Sequence, residues 1–508
     1  MNYLLKNLYR KGDKIKFSDK KELKITETFD NLVNFDGYTV KIGSDKEIEI
    51  KFSNERGKLF GEIYAEELLN RAKGVLPVCI AEDYPDIKIR GVIEGFYGKP
   101  YSFETRKNLI DTIISYKMNS YFYAPKDDVY HRDKWRELYP ETEAEKLKEF
   151  IGYCNLKLVD FYFCISPGKD FRYSDEAEYV KLENKLQQVM NWGVKGFAVL
   201  FDDIKLELCE ADAEKFGSCG KAQAYVLKRA REFIGEKFEF IMCPTEYIQP
   251  SDSPYKKDLR ENMPQNIKVF WTGYNTVAEF ITESDAKKAG EVFGRELILW
   301  DNYPVNDFSP KRRIYLGAIE NRTADLNKTH SGMVSNPMPS WELSKIAVSS
   351  MADFMWNSHA YNKRESLIKV CKSIFGNDYK DALNFFGLNS LSIFKPRGDK
   401  EAELFKIGDF IKLEKFYNDK MKSIEKLSDL KNPFVNELRP YLNYFKNEYT
   451  VFKQLTAGKI DGKLCIELSL CPVGLQNQEL LKYIKEHRLI PEYNEIKIDS
   501  EREEYTKL

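Results

Sequence analysis

Histidine is scarce in this chain: His131, His330, His359 and His487 are the only four in 508 residues, and none is paired at metal-ligand spacing. Zinc and iron hydrolases draw on clustered imidazoles and thiolates, so neither metal chemistry nor any other cofactor is expected. The nine cysteines form no CxxC and no Cys/His finger, and their odd number fits reduced thiols better than a disulfide framework. An excess of one charge is also missing, since 79 basic residues stand against 80 acidic ones for a formal net of -1. A general nucleic-acid binder would carry a basic surplus, so no nucleic-acid partner is expected. No apolar run approaches membrane-spanning length, and no membrane partner is expected. The opening Met1-Asn2-Tyr3-Leu4-Leu5-Lys6 breaks its apolar stretch at Lys6, before a signal-peptide core could form, which predicts a cytoplasmic protein.

What the chain does have is length and aromatic content. At 508 residues two or three domains are expected. The 14% of aromatic residues serves core packing first, and aromatic faces are also the usual platforms for sugar rings. From Ile25 to about Pro85 short strands (Tyr38 to Ile42, Ile48 to Phe52) and a helix around Ile63 to Ala72 suggest a small α/β unit, taken as residues 1–85. From 86 to 357 apolar strands alternate with amphipathic helices. Eight strands are predicted: Ile87 to Glu94, Ser120 to Pro125, Val159 to Ser166, Gly196 to Asp202, Phe238 to Glu246, Ile267 to Thr272, Leu297 to Asn302 and Gly332 to Asn336. Helices are expected between them, as at Glu104 to Tyr116 and Glu141 to Cys154, where Leu147, Phe150, Ile151 and Cys154 fall at i, i+3, i+4 and i+7. Eight such repeats predict a (β/α)8 TIM barrel, whose functional groups gather at the carboxyl ends of the strands. Residues 358–508 turn Lys/Glu-rich and helical. Leu438, Leu442, Phe445, Tyr449 and Phe452 read as the buried stripe of one long helix in a bundle, with Pro433 and Pro440 marking its start, and Tyr493 to Leu508 as a charged end that frays.

The fourth strand ends in Asp202-Asp203. Two adjacent carboxylates of similar intrinsic acidity discourage each other's ionisation, which suits a reaction needing both a proton donor and a negative charge, such as glycosidic cleavage. Alone the dipeptide is weak, because Asp-Asp is common in turns and helix starts. Its company strengthens it: strand one ends in Glu94-Gly95-Phe96-Tyr97-Gly98-Lys99, strand two in Lys126-Asp127-Asp128, and strand five in Cys243-Pro244-Thr245-Glu246-Tyr247. Strand seven ends in Trp300-Asp301-Asn302 followed by Asp307, and strand eight in Ser335-Asn336-Pro337. Gly98-Lys99 is not a phosphate loop, because Pro100 replaces the required Ser/Thr and Ile93 the leading Gly. The mixture of charge, amide and aromatic groups suits a pyranose.

The phrases RGVIEGFYG, YAPKDD, FDDI, CPTEY, WDNYPVND and SNP occur in this order between about Asp83 and Trp356. In them the chain resembles glycoside hydrolase family 84, the β-N-acetylglucosaminidases that include protein O-GlcNAcases and bacterial relatives once called hyaluronidases. One departure is Lys221, where a His is common in relatives. The resemblance implies a retaining hydrolase that removes terminal β-linked N-acetylglucosamine from a glycoprotein or glycan. The substrate's own acetamido oxygen would attack the anomeric carbon, giving an oxazoline. It further implies that Asp202 orients the acetamido group and that Asp203 is the general acid and base. By the same resemblance Gly95, Lys126, Asn302 and Asp307 hold sugar hydroxyls, Tyr247 and Asn336 contact the acetamido region, and Trp300 and Tyr97 wall the pocket, with Cys243 beside them. The residues alone leave alternatives open: Trp300 as core, Lys126 as an ion-pair partner of Asp127 or Asp128, and Cys243 as an inert buried thiol. A sugar-binding module on an inactive barrel is the alternative for the whole chain, and a phosphosugar or metal enzyme is a third reading. The helical tail is a candidate for homodimer formation or for lining the aglycone cleft.

Overall fold

The computed structural model describes residues 5–308, 313–387, 399–473 and 478–498. The charged end expected to fray lies outside them from residue 499 onward. Five strands form the first sheet: β1 (Asn7–Lys16), β2 (Lys24–Phe29), β3 (Tyr38–Ile42), β4 (Glu47–Phe52) and β5 (Val75–Asp83), in the order β1-β5-β3-β4-β2. Alternation decides which face is buried. In β4 the side chains of Ile48, Ile50 and Phe52 point inward against the helix Glu55–Arg71 while their neighbours stay half-exposed.

That helix is longer than the expected Ile63 to Ala72. It starts at Glu55, where the Asn54 side chain accepts from Gly57 N at 2.9 Å. Its first turns carry Gly57 and Gly61, which weaken a helical pattern but are needed sterically. A Cβ at Gly57 would lie 2.3 Å from the Gly37 carbonyl oxygen, and one at Gly61 2.7 Å from Ile50. Strands β1, β2 and β5 were not anticipated. β1 is mostly exposed and charged, and β5 contains Pro77, so neither shows a clean period of two.

The eight strands predicted from 86 onward are all present: β6 (Ile89–Glu94), β7 (Ser120–Tyr123), β8 (Asp160–Ile165), β9 (Gly196–Leu200), β10 (Glu239–Cys243), β11 (Lys268–Trp271), β12 (Leu297–Asp301) and β13 (His330–Ser335). They pair in parallel, and β13 closes on β6 to complete a TIM barrel. Helices such as Phe103–Ser115 and Glu141–Leu156 cover the outside, the latter burying Leu147, Phe150, Ile151 and Cys154. Inside, Phe122 stacks on Tyr162 at 4.2 Å and meets Phe270 edge-on, and Phe270 in turn meets Trp300 at 5.3 Å. This layer fills the barrel and floors whatever lies above it.

The helix Trp341–Trp356 leads out of the barrel, and Trp356 O accepts from Asp86 N at 2.9 Å. Beyond it the chain is helical. In the helix Pro433–Thr456, Leu438, Leu442, Phe445 and Phe452 are fully buried, and Tyr449 is half-buried with its hydroxyl on Asn418. Pro433 stands in the first turn, as expected, but Pro440 lies inside the helix rather than at its start. Burial of the apolar stripe on both sides of Pro440 carries the helix through the missing N–H. Among the described residues no helix is long and apolar enough to cross a membrane.

Candidate active site

The backbone that presents Asp202 and Asp203 is pinned immediately before them. Phe201 N donates to Cys243 O at 2.8 Å, and Phe201 O accepts from Thr245 Oγ1 at 2.9 Å. Thr245 Oγ1 accepts from Gln223 Nε2 at 3.0 Å, and Tyr255 Oη donates to Gln223 Oε1 at 2.5 Å. The buried Gln223 thus holds the strand end from behind, whereas Lys221, the position that departs from the family pattern, faces solvent. The chain then turns sharply, and Asp203 takes a left-handed backbone with φ of 56°. A non-glycine residue there carries strain that its surroundings must support.

The two carboxylates have separate partners. Asp202 is buried, and its Oδ2 accepts from Lys126 Nζ. Its Oδ1 is buried and has no hydrogen-bond partner. Lys126 therefore pairs with Asp202, not with Asp127 or Asp128. Burial works against its ammonium, but the fields of Asp202, Tyr97 and Asp203 outweigh that and push its pKa above the ordinary lysine value, so it stays charged. Asp203 is open to solvent and accepts two phenolic O–H groups, from Tyr97 at 2.6 Å and from Tyr247 at 3.0 Å. Burial pushes the Tyr97 hydroxyl up to about 12, and burial together with the Asp203 charge pushes Tyr247 well above its usual value. Both remain donors.

Amide groups line the opposite wall. Asn336 Oδ1 accepts from Gly95 N at 3.2 Å, and Asn336 Nδ2 donates to Asn302 Oδ1 at 2.8 Å. Asn302 Oδ1 also accepts from Trp300 Nε1 at 2.9 Å, while its Nδ2 donates to Thr276 O at 2.7 Å. Glycine is required at 95, because a Cβ would come within 2.5 Å of the Trp300 ring. Asp307 Oδ2 accepts from Tyr97 N at 2.6 Å, and burial pulls its carboxyl above the ordinary range against the pull of nearby backbone N–H groups. Burial also pushes the Cys243 thiol well up.

These side chains surround a cleft of about 490 Å³ at the carboxyl ends of the strands. Its lining includes all eleven residues expected at the site: Asp202, Asp203, Gly95, Tyr97, Lys126, Cys243, Tyr247, Trp300, Asn302, Asp307 and Asn336. Trp300 belongs both to this wall and to the barrel core, so its two readings are not exclusive. Sequence reasoning missed Thr245, Thr272 and the segment Asn275, Thr276 and Val277. The last three follow β11, and their place after a barrel strand was a signal that no charged residue drew attention to. Arg132 was missed as well: its Nη1 donates to Tyr97 Oη at 2.9 Å. No group of three or more His, Cys, Asp or Glu side chains among the described residues is arranged to hold a metal ion.

A family model described as beta-N-acetylglucosaminidase matches residues 90–387. The protein O-GlcNAcases of Rattus norvegicus and Mus musculus are each 37% identical to the chain over 268 residues, which is 52% of this chain. That stretch spans only 29% of the length of these curated relatives. Among solved structures, that titled "Structure of CpGH84B" superposes with a TM-score of 0.81 at 25% identity, covering 96% of this chain and 100% of its own. A mutant O-GlcNAc hydrolase of Thermobaculum terrenum gives a TM-score of 0.68 at 28% identity, covering 80% of this chain and 90% of its own.

Proposed function

The chain belongs to the beta-N-acetylglucosaminidase family, and from that premise we propose that it is a retaining glycoside hydrolase that removes terminal β-linked N-acetylglucosamine by substrate-assisted catalysis. The observation that carries this reading is the free, buried Oδ1 of Asp202 beside the ion pair with Lys126. A buried carboxylate oxygen without a donor costs free energy until a ligand supplies one. An acetamido N–H is such a donor. As the acetamide oxygen attacks the anomeric carbon the nitrogen gains positive character, and the carboxylate stabilises it more in the transition state than in the ground state.

Asp203 then has the second role. It faces the open cleft, held by two phenols, and would protonate the leaving oxygen as the oxazoline forms and later take a proton from the water that opens it. Tyr247 and Asn336 flank the acetamido region, while Gly95, Lys126, Asn302 and Asp307 hold ring hydroxyls. Tyr97, Trp300 and Cys243 complete the wall. The natural substrate is a terminal N-acetylglucosamine on a glycoprotein or glycan.

Turnover of aryl β-N-acetylglucosaminides should greatly exceed that of the matching β-glucosides, because the glucosides lack the attacking oxygen. Equal turnover of both would refute substrate assistance. A thiazoline analogue of the bicyclic intermediate should inhibit competitively, and a saturating dose without effect would count against the reading as a whole.

A further inference from the structure

Among the described residues Arg132 differs from two kinds of buried arginine in the barrel region. Arg231 and Arg295 bond only backbone carbonyls. Arg90, Arg106 and Arg322 each clamp a carboxylate, to Asp36, Glu94 and Asp301 respectively. Among the described residues Arg132 has no carboxylate within 4.0 Å; its hydrogen bond goes to the hydroxyl of Tyr97 at 2.9 Å, with the guanidinium 5.3 Å from that ring's centroid. A half-buried cation whose hydrogen bond goes to a neutral phenol, while it feels the charges of Asp202 and Asp203 at longer range, asks for an explanation.

The hydroxyl supplies one. A phenol oxygen has a single proton to give and lone pairs to receive. With an Arg132 N–H occupying a lone pair, the proton turns toward Asp203 Oδ2 at 2.6 Å, the only acceptor it meets among the described residues. Arg132 thereby sets the direction of the Tyr97 rotor. Asp203 needs such support because its backbone is in the left-handed region and its side chain is open to solvent. Resting on the hydrolase reading above, we propose that Arg132 is a positioning residue for the acid/base, acting through the Tyr97 hydroxyl to hold the Asp203 carboxylate where the leaving oxygen emerges. It touches no substrate itself.

A set of N-acetylglucosaminides of phenols with graded acidity tests the relay in the full chain. Arg132→Met should lower kcat for the poorest leaving groups by roughly tenfold, a part of the 10²–10⁴ that general acid catalysis supplies, with KM within about twofold. For the most acidic phenol the loss should nearly vanish, since that group departs without a proton. Arg132→Lys, which keeps a charged donor, should recover most of the rate. Adding Arg132→Met to Tyr97→Phe should cost almost nothing further, because the two residues act in series. Each variant is checked by thermal unfolding, and Arg132→Lys against Tyr97→Phe carries the comparison if Arg132→Met does not fold. A loss equal for every phenol, a loss confined to KM, or a full tenfold effect persisting in the Tyr97→Phe background would each overturn the relay. If the unaltered protein cleaves none of the glycosides, the hydrolase reading itself falls and the relay with it. If it cleaves them and Arg132→Met keeps the same dependence on leaving group, the relay alone fails.

Discussion

The two ends of the barrel each hold a strained aspartate, and they use it in opposite ways. At the amino end Asp36 has φ of 54°, close to the 56° of Asp203 at the carboxyl end. Asp36 is completely buried and its oxygens are saturated: Oδ1 accepts from Asn54 and from Arg56 at 2.8 Å, and Oδ2 from Arg90 and Asn119 at 2.9 Å each. Arg56 also reaches Asp160 at the start of β8, so this closed network ties the first sheet to the barrel floor. At the carboxyl end the groups are only partly satisfied. Asp202 keeps an oxygen free, Asp203 faces solvent, and a cleft separates them from the amide wall. Saturated charge holds structure together. Unsaturated charge waits for a ligand.

Substitution of the solvent-facing Asp203 should therefore affect turnover and leave stability nearly intact. Asp203→Ala is expected to cost on the order of 10²–10⁴ in rate with poor leaving groups and less with activated ones. Asp202→Asn, which weakens stabilisation of the acetamide, should show a shallower dependence across the same phenols. The reverse pattern would mean that the two carboxylates have exchanged roles.

The amino end should behave conversely. Asp36→Ala strands Arg90 in the interior and should destabilise the fold by about 3–5 kcal/mol, read as a shift in denaturant midpoint. Below the unfolding transition kcat should stay within about twofold of the unaltered protein. A large kinetic loss in the folded variant would erase the contrast between the ends.

Asp307 sits in the cleft but bonds a loop N–H. Asp307→Ala should weaken thiazoline binding by roughly 1.5–3 kcal/mol while unfolding is little changed. Unaltered affinity in a folded variant would remove Asp307 from the sugar site.

The smallest effect is in pH. Burial alone would raise the Asp36 carboxyl, but Arg90 and Arg56 bring it down from 3.8 to about 2. A depressed folded pKa contributes stability in full above the unfolded value and loses it as the folded group protonates. The stability advantage over Asp36→Asn should thus shrink as pH falls from about 4 toward about 2. An advantage constant across that window would show that the network's charge contributes nothing.

Much of this was legible in the chain because barrel strands are buried on both faces and read as continuous apolar runs. The run Ala198 to Phe201 stops where Asp202 begins, so the same residues mark both a strand and its functional end. The first sheet was harder. β1 is charged and exposed, and the helix from Glu55 opens with glycines chosen for contact with Gly37 and Ile50, residues whose proximity no local pattern reveals. Pro440 misled for a related reason: local propensity ends a helix there, and packing overrides it.

The amino-acid sequence by itself determined the repeat, the strand ends and the chemical types gathered there, because periodicity and the limits of apolar runs are local properties. Only the tertiary structure decided who pairs with whom. Lys126 stands one residue from Asp127 yet pairs with Asp202, and the hydrogen-bond path from Arg132 to Asp203 runs through Tyr97, which arrives from another strand. Those partners are separated by tens of residues along the chain, and barrel closure is what brings them within a hydrogen bond.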